Sequence, residues 1–270
     1  MFAITEPCKS LDVEAASILV IERKLFYIKI NNYYFMKEGV EFEPTVHVKG
    51  FSHSFIPLRT LGDLETIHID LTKDENVLLM EVHKSTRKQI RIAEEQGLQW
   101  FVIETPTDQD FKDFQIFYNR FARNKQAHTC SSFHMKTMKL LRDKNAITLT
   151  YMQDQQQDML CYRMYITDGD VVMNLYSASH YRMIESKEKK RMISQANRLL
   201  IWNSMLWFKE KGHRVYDMGG LTSDENIRLF KLGFGGEIVP VYSGYEAHSF
   251  WGQLIIKIRN LKMTIVGMKV

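Results

Sequence analysis

Three apolar runs decide how this chain folds: AITLTYM (146–152), MLCYRMYI (159–166) and VVMNLYSA (171–178). Each is rich in the β-branched and aromatic residues that fit a pleated surface. The connections are short, and Thr167-Asp-Gly-Asp170 carries the Asp-Gly pair that closes tight hairpins. Short turns join antiparallel neighbours, so residues 146–178 read as a three-stranded antiparallel meander.

After the meander, a basic loop from Arg182 to Arg191 leads into SQANRLLIWNSMLWFKEK (194–211). That helix is apolar nearly all round, which predicts deep burial. HRVYDMGG (213–220) reads as a strand, and Thr222-Ser-Asp-Glu225 as a capping box opening a short helix that carries Lys231. Residues 237–247 return as a last strand. Ahead of the meander, Phe111, Phe114, Phe117, Tyr118 and Phe121 recur at helical spacing, and a second helix covers 132–143. In the first part, SILVIE, LFYIKI and YYFM within residues 15–60 read as short strands. Thr72-Lys-Asp-Glu75 is a further capping box, whose helix runs to Gly97, and LQWFVIE (98–104) is a strand ended by Pro106.

The bulk properties exclude several classes. With 45% apolar and 25% charged residues in 270, the composition is that of a globular protein. A net charge of +4 is too mild for a DNA-binding domain but suits anionic small substrates or a membrane surface. Cys8, Cys130 and Cys161 are too sparse for a disulfide framework, so a reducing cytoplasm fits. MFAITEPCKSLDVEAA at the start lacks the basic and apolar regions of a secretory signal, and no apolar run reaches membrane-spanning length. His128, Cys130 and His134, like His47 and His53, do not supply four ligands at zinc spacing, so no metal is expected. Neither a G-x-S-x-G elbow nor a G-x-x-x-x-G-K-[ST] loop occurs.

The order helix, helix, meander, loop, helix, strand, helix, strand is the succession of the GNAT acyltransferase fold. Three stretches sharpen the likeness. LLIWNSMLWFKEKGHRVYDMGGL (199–221) resembles the buried helix and following strand of the Fem-type peptidoglycan-bridge aminoacyltransferases. FKLGFGGEIVP (230–240) resembles their FK-x-G-F-G-G element, and VHKSTRKQIRIAEEQGL (82–98) their K-x-x-R-x-x-I-R-x-A-x-x-x-G helix. The resemblance implies an α+β tandem GNAT-like fold with a central mixed sheet. It comprises a shortened N-terminal half (1–105), a complete C-terminal half (106–250) and a basic amphipathic tail (251–270).

It also implies an N-acyltransferase of cell-envelope, peptidoglycan or polysaccharide biosynthesis. Such an enzyme moves an acyl or aminoacyl group from acyl-CoA, acyl-carrier protein or aminoacyl-tRNA to an amine. The acceptor is a nucleotide- or lipid-linked amino sugar or peptide, and no cofactor is tightly bound. The alternative is a non-catalytic GNAT-like module that binds such precursors or a partner protein. The glycine loop of acetyl-CoA-binding GNATs is replaced by KKRMISQANR (189–198), which favours that alternative.

Acyl transfer to an amine passes through a tetrahedral oxyanion and rewards a fixed cation or N–H donor beside it. Lys231, followed by Gly233, Gly235 and Gly236, supplies this or neutralises a phosphate, with Gly235 approaching the donor. Otherwise it is a lysine complementing a helix dipole. Asp217, before Gly219-Gly220, either orients or deprotonates the acceptor amine or caps the next turn. Lys84, Arg87 and Arg91 share one helix stripe, which the resemblance turns toward an anionic acceptor and which is otherwise a solvated face.

Asn174 and Tyr176 point to one face of their strand, where the resemblance places the donor; half-buried sheet residues are the other reading. Ser194 and Gln195 open the buried helix behind Lys189, Lys190 and Arg191, as either a phosphate site or a plain helix cap. The tail AHSFWGQLIIKIRNLKMTIVGMKV has four cations, no acids and apolar residues at helical spacing. It lies peripherally on an anionic membrane or docks on its own core or a second subunit.

Overall fold

The structure, a computed structural model, describes residues 18–39 and 46–265, with side chains to 261. The expected leader reading, Cys8 and the last five residues of the tail lie outside the described residues. The chain opens with β1 (Leu19–Leu25), β2 (Ile28–Tyr34), β3 (Val48–Ser54) and β4 (Gly62–Asp70). Then come α1 (Glu75–Glu81), α2 (Lys84–Glu94), β5 (Gln99–Ile103), α3 (Asp108–Lys125) and α4 (Ser132–Arg142). The meander follows as β6 (Ile147–Gln153), β7 (Met159–Thr167) and β8 (Val171–Ser179). A short 3-10 turn (His180–Met183) leads to α5 (Lys187–Glu210), β9 (Val215–Asp217), α6 (Glu225–Leu232), β10 (Glu237–Ala247) and α7 (Phe250–Ile265).

All ten strands form one mixed sheet in the order β1-β2-β3-β10-β4-β9-β8-β7-β6-β5. The division expected at residue 105 therefore runs through a continuous sheet. β5 pairs antiparallel with β6 at the far edge, and β10 is inserted between β3 and β4, antiparallel to both.

Each sheet face carries its own core. On one, α5 lays Leu200, Ile201, Met205 and Phe208 against Tyr165, Tyr216, Ile67 and Ile69, joined by Leu78 of α1 and Ile90 of α2. On the other, Phe111 and Phe114 of α3 and Leu141 of α4 cover Leu149, Met164 and Met173. The helical phenylalanine spacing is thus a core-facing stripe, and burying each such side chain contributes roughly 1.5–3 kcal/mol. Cys130 and Cys161 are free and buried, with burial pushing the thiols up to about 11 and about 12.

Several local expectations are corrected. Residues 75–97 are not one helix, because Val82 takes an extended conformation (ψ 132°) and His83 caps α2. The His83 N–H is held by the Gly233 carbonyl at 3.0 Å, which breaks the helical ladder. Asp74 rather than Thr72 caps α1, and Asp224 rather than Thr222 caps α6. In each case a carboxylate two positions further along accepts the N–H two residues beyond itself, that of Asn76 or Asn226. α5 starts at Lys187 with Ser186 as its cap, so Ser194 and Gln195 sit two turns inside the helix.

Candidate functional site

β8 and β9 run parallel and part early. Val171, Val172 and Met173 pair with Val215, Tyr216 and Asp217. Past that point β8 continues along β7, whereas Met218 and Leu221 donate their N–H groups to Ile67 and Glu65 of β4. The two strands diverge around a crevice of about 330 Å³, lined by Arg163, Ser177, Asn197, Met218, Phe230 and Lys231 among others. At its apex, Gly219 (φ 74°) passes so close to β8 that a Cβ would meet the Asn174 carbonyl oxygen at 2.5 Å.

Two cations face this space without a carboxylate. Arg163 on β7 is 3% exposed. Its Nη1 donates to Asn174 Oδ1 and Ser177 Oγ, each at 3.0 Å, its Nη2 donates to Asn197 Oδ1 at 2.9 Å, and its Nε has no partner. Among the described residues no acid pairs with it. Lys231 reaches in from α6 and donates to the Gly219 and Gly220 carbonyls, each at 2.8 Å. Burial, joined by the Arg163 and Lys125 charges and opposed by Asp217, brings the Lys231 ammonium down to about 8. Lys125 and Arg182 add positive charge to the lining, while its carboxylate, Asp224, is tied to the N–H groups of Asn226 and Ile227.

Behind the apex lies a second polar group. Asp217 is 0% exposed, accepts from the Thr66 hydroxyl, and accepts the Gly219 N–H at 2.7 Å. Its Oδ2 is 3.5 Å from His68 Nε2 and 3.9 Å from His53 Nε2, and none of these three atoms has a hydrogen bond. Burial works to raise the Asp217 carboxyl, but His68, His53 and Thr66 prevail and hold it below the ordinary carboxylate value. Burial likewise drives His53 below the usual imidazole value, against the pull of Asp217. His53 also sits in the left-handed region (φ 50°), where a β3–β10 irregularity turns its N–H to Ser243 Oγ. A non-glycine residue held there marks a constraint imposed by its surroundings. Among the described residues no group of His, Cys, Asp and Glu is arranged to hold a metal.

The structure brings Lys231, Asp217 and Asn174 together but disperses the other expected residues. Asn174 and Tyr176 do not share a face. Met164 pairs with Tyr176 and Tyr165 with Asn174, so Leu175 is an extra residue and the alternation breaks at a bulge. Asn174 meets Arg163, while Tyr176 packs on Phe114 and Tyr118 of α3. Ser194 and its carbonyl accept from Arg198, and Gln195 accepts from Gln96; Arg191 is exposed on α5.

The Lys84, Arg87 and Arg91 stripe lies outside the crevice lining, and Arg87 instead donates to the Leu79 and Met80 carbonyls at the end of α1. Gly235 (φ 81°) faces the protein itself, since a Cβ would lie 2.9 Å from the Glu81 carbonyl oxygen. Its bare backbone serves a tight passage over α1.

Sequence reading missed Arg163 and His68, and weighed His53 only as a metal ligand. The signal for Arg163 was a lone charge inside the apolar run MLCYRMYI. The pairing of His53 and His68 with Asp217 carried none, because that partner arrives from a strand roughly 150 residues away.

No family model matches the sequence, and no curated protein matches it. Among solved structures the fold is similar to that of FemX, with a TM-score of 0.60 and 11% identity, over 88% of this chain and 85% of that one. It is also similar to the C-terminal DUF2156 domain of a putative lysylphosphatidylglycerol synthetase from Agrobacterium fabrum. That match has a TM-score of 0.50 and 12% identity, over 80% of this chain and 72% of that one. L-PGS from Bacillus licheniformis matches with a TM-score of 0.50 and 12% identity, over 90% and 85%. The fold is FemX-like, a large mixed sheet flanked by helices.

Proposed function

We propose that the protein is an acyltransferase whose crevice between β8 and β9 joins an activated acyl or aminoacyl donor to the amine of an anionic, nucleotide- or lipid-linked envelope precursor. The observation that carries this reading is Arg163, a buried guanidinium with neutral partners and no counter-ion, beside the part-buried ammonium of Lys231. Buried charge without a partner is costly, so an anion completing the site offsets that cost. The edge of β8 beyond Asn174, where β9 no longer pairs with it, offers backbone groups to an extended donor carrying amides, as strand addition does.

In this reading the acceptor nitrogen attacks the donor carbonyl carbon and the carbonyl electrons move onto oxygen. Lys231, with one N–H beyond its two bonds to Gly219 and Gly220, steadies that oxyanion. Collapse expels the donor's thiolate or ribose oxygen. The amine proton passes to the histidine pair that faces Asp217, so the expected role of Asp217 becomes electrostatic support of that pair. Acyl-CoA, acyl-carrier protein and aminoacyl-tRNA are the candidate donors.

A second reading, a non-catalytic precursor-binding module, draws on the glycine-free start of α5 (KEKKRMISQANR, 187–198). Native mass spectrometry with each of the three donors, followed by an assay for acyl release to amine acceptors, separates the two. A donor complex that turns over supports the enzyme. Precursor binding without turnover supports the module, and binding of neither rejects both.

A further inference from the structure

The β1–β2 hairpin ends in Phe26 and Tyr27, which are 89% and 95% exposed. Two-residue hairpin loops favour asparagine and glycine because the backbone turns into the left-handed region. Here Phe26 takes that conformation, with φ 54°. The chain thus presents two bare aromatic rings at a position where local preference asks for a small polar residue. Directly behind the tip, Lys24 and Lys29 are cross-strand partners, and neither joins an ion pair among the described residues. Like charges placed opposite each other destabilise a hairpin standing alone. Both features conflict with the hairpin's own stability and agree with an anionic, partly apolar surface opposite it.

The tail helix continues the same patch. Lys29 exchanges hydrogen bonds with His47, at 3.2 Å to Nδ1 and 3.1 Å from the His47 N–H. The His47 carbonyl in turn accepts the His248 N–H at 2.9 Å and lies where a side chain at Gly252 would clash with it. On this seat stand Phe250 and Trp251, 73% and 60% exposed, with ring centroids 5.5 Å apart. Leu254, Ile258 and Leu261 extend the exposed stripe along α7 at helical spacing, beside exposed Lys257. Aromatic rings flanked by cations, with apolar residues along one helix face, are the composition of interfacial membrane contacts. No helix among the described residues is long and apolar enough to cross a membrane.

We infer that the β1–β2 tip and the exposed face of α7 form one surface that lies on a bilayer containing anionic phospholipid. Phe26, Tyr27, Phe250 and Trp251 enter the headgroup region, and Lys24, Lys29 and Lys257 meet the phosphates. The inference is independent of the transferase reading, because none of these residues lines the crevice.

The full chain is floated with vesicles of phosphatidylcholine mixed with phosphatidylglycerol, and with phosphatidylcholine alone. Binding to the anionic vesicles is expected, with Trp251 emission shifting to the blue. The pair Lys24→Glu and Lys29→Glu should lower the bound fraction at least about tenfold. Phe26→Ser with Trp251→Ser should do the same, and both variants should keep the wild-type melting temperature. Lys257→Glu, on a different element, tests the surface if the hairpin pair fails to fold. Absence of binding, equal binding to both vesicle types, or binding that survives all these changes overturns the inference. So does a dimer in solution that Phe26→Ser and Trp251→Ser dissolve, which would make the surface a subunit contact.

Discussion

His68 and Asp217 stand directly opposite each other on β4 and β9, with Nε2 3.5 Å from Oδ2 and Oδ2 left without a hydrogen bond. A strand from the N-terminal part and one from the C-terminal part thus meet at a buried carboxylate, one residue from the split that opens the crevice.

Asp217→Asn tests the electrostatics of that pair. The carboxyl is held below the ordinary value of 3.8, so it contributes stability that is fully present above that value. The contribution is lost as pH falls through the lowered value. Urea midpoints from about pH 6 to about pH 3 should fall more steeply for the wild type than for the variant. Parallel curves would remove Asp217 from the acid-sensitive groups.

Lys231→Met deletes the ammonium while keeping much of the volume. Loss of one oxyanion-type donor should lower kcat by roughly 10²–10³, with little change in KM. The wild-type rate should decline as pH rises through about 8, where the ammonium loses its proton. In Lys231→Arg that alkaline limb should move upward. A pH–rate profile that stays flat across this range would show that the charge on Lys231 is not needed.

Arg163→Met separates function from stability. The guanidinium has no carboxylate to orphan, but its removal takes a donor from the Asn174, Ser177 and Asn197 oxygens, which offsets the relief of its buried charge. The variant should melt close to the wild type while losing most of its affinity for pyrophosphate, read by calorimetry. Lowered melting with affinity intact would make Arg163 a structural brace.

Gly235→Ala should act on the fold. At φ 81°, with the Glu81 carbonyl 2.9 Å from the added carbon, it should cost about 1–3 kcal/mol. Turnover per folded molecule should be unchanged. A variant that melts normally but is inactive would return Gly235 to the crevice.

How far these features could be read from sequence follows from the distances over which they are specified. The meander, the α3 stripe and buried α5 were legible because their periodicity lies within one element. The nearness of Lys231 and Asp217 to glycine backbone was legible because a charge beside bare backbone is a local pattern. The fate of Tyr176 was not, since one extra residue at Leu175 inverts the alternation and the bulge shows only in the pairing with β7. Arg87 was misread because its stripe is periodic, while its partners are carbonyls of a helix end that periodicity does not reveal. The histidine pair depends on β4 lying beside β9, a relation that only the completed sheet creates.

β10 has a further consequence for how the molecule is made. Residues 237–247 fill the gap between β3 and β4, so a growing chain on the ribosome cannot join those two strands until residue 247 has been synthesised. Until then, the edges of β3 and β4 that β10 will cover have no strand beside them. Pairing elements so far apart in sequence is slow, because loop closure precedes any gain from contact. A stop codon placed before residue 237 would leave both edges open, and the expected product is an aggregate.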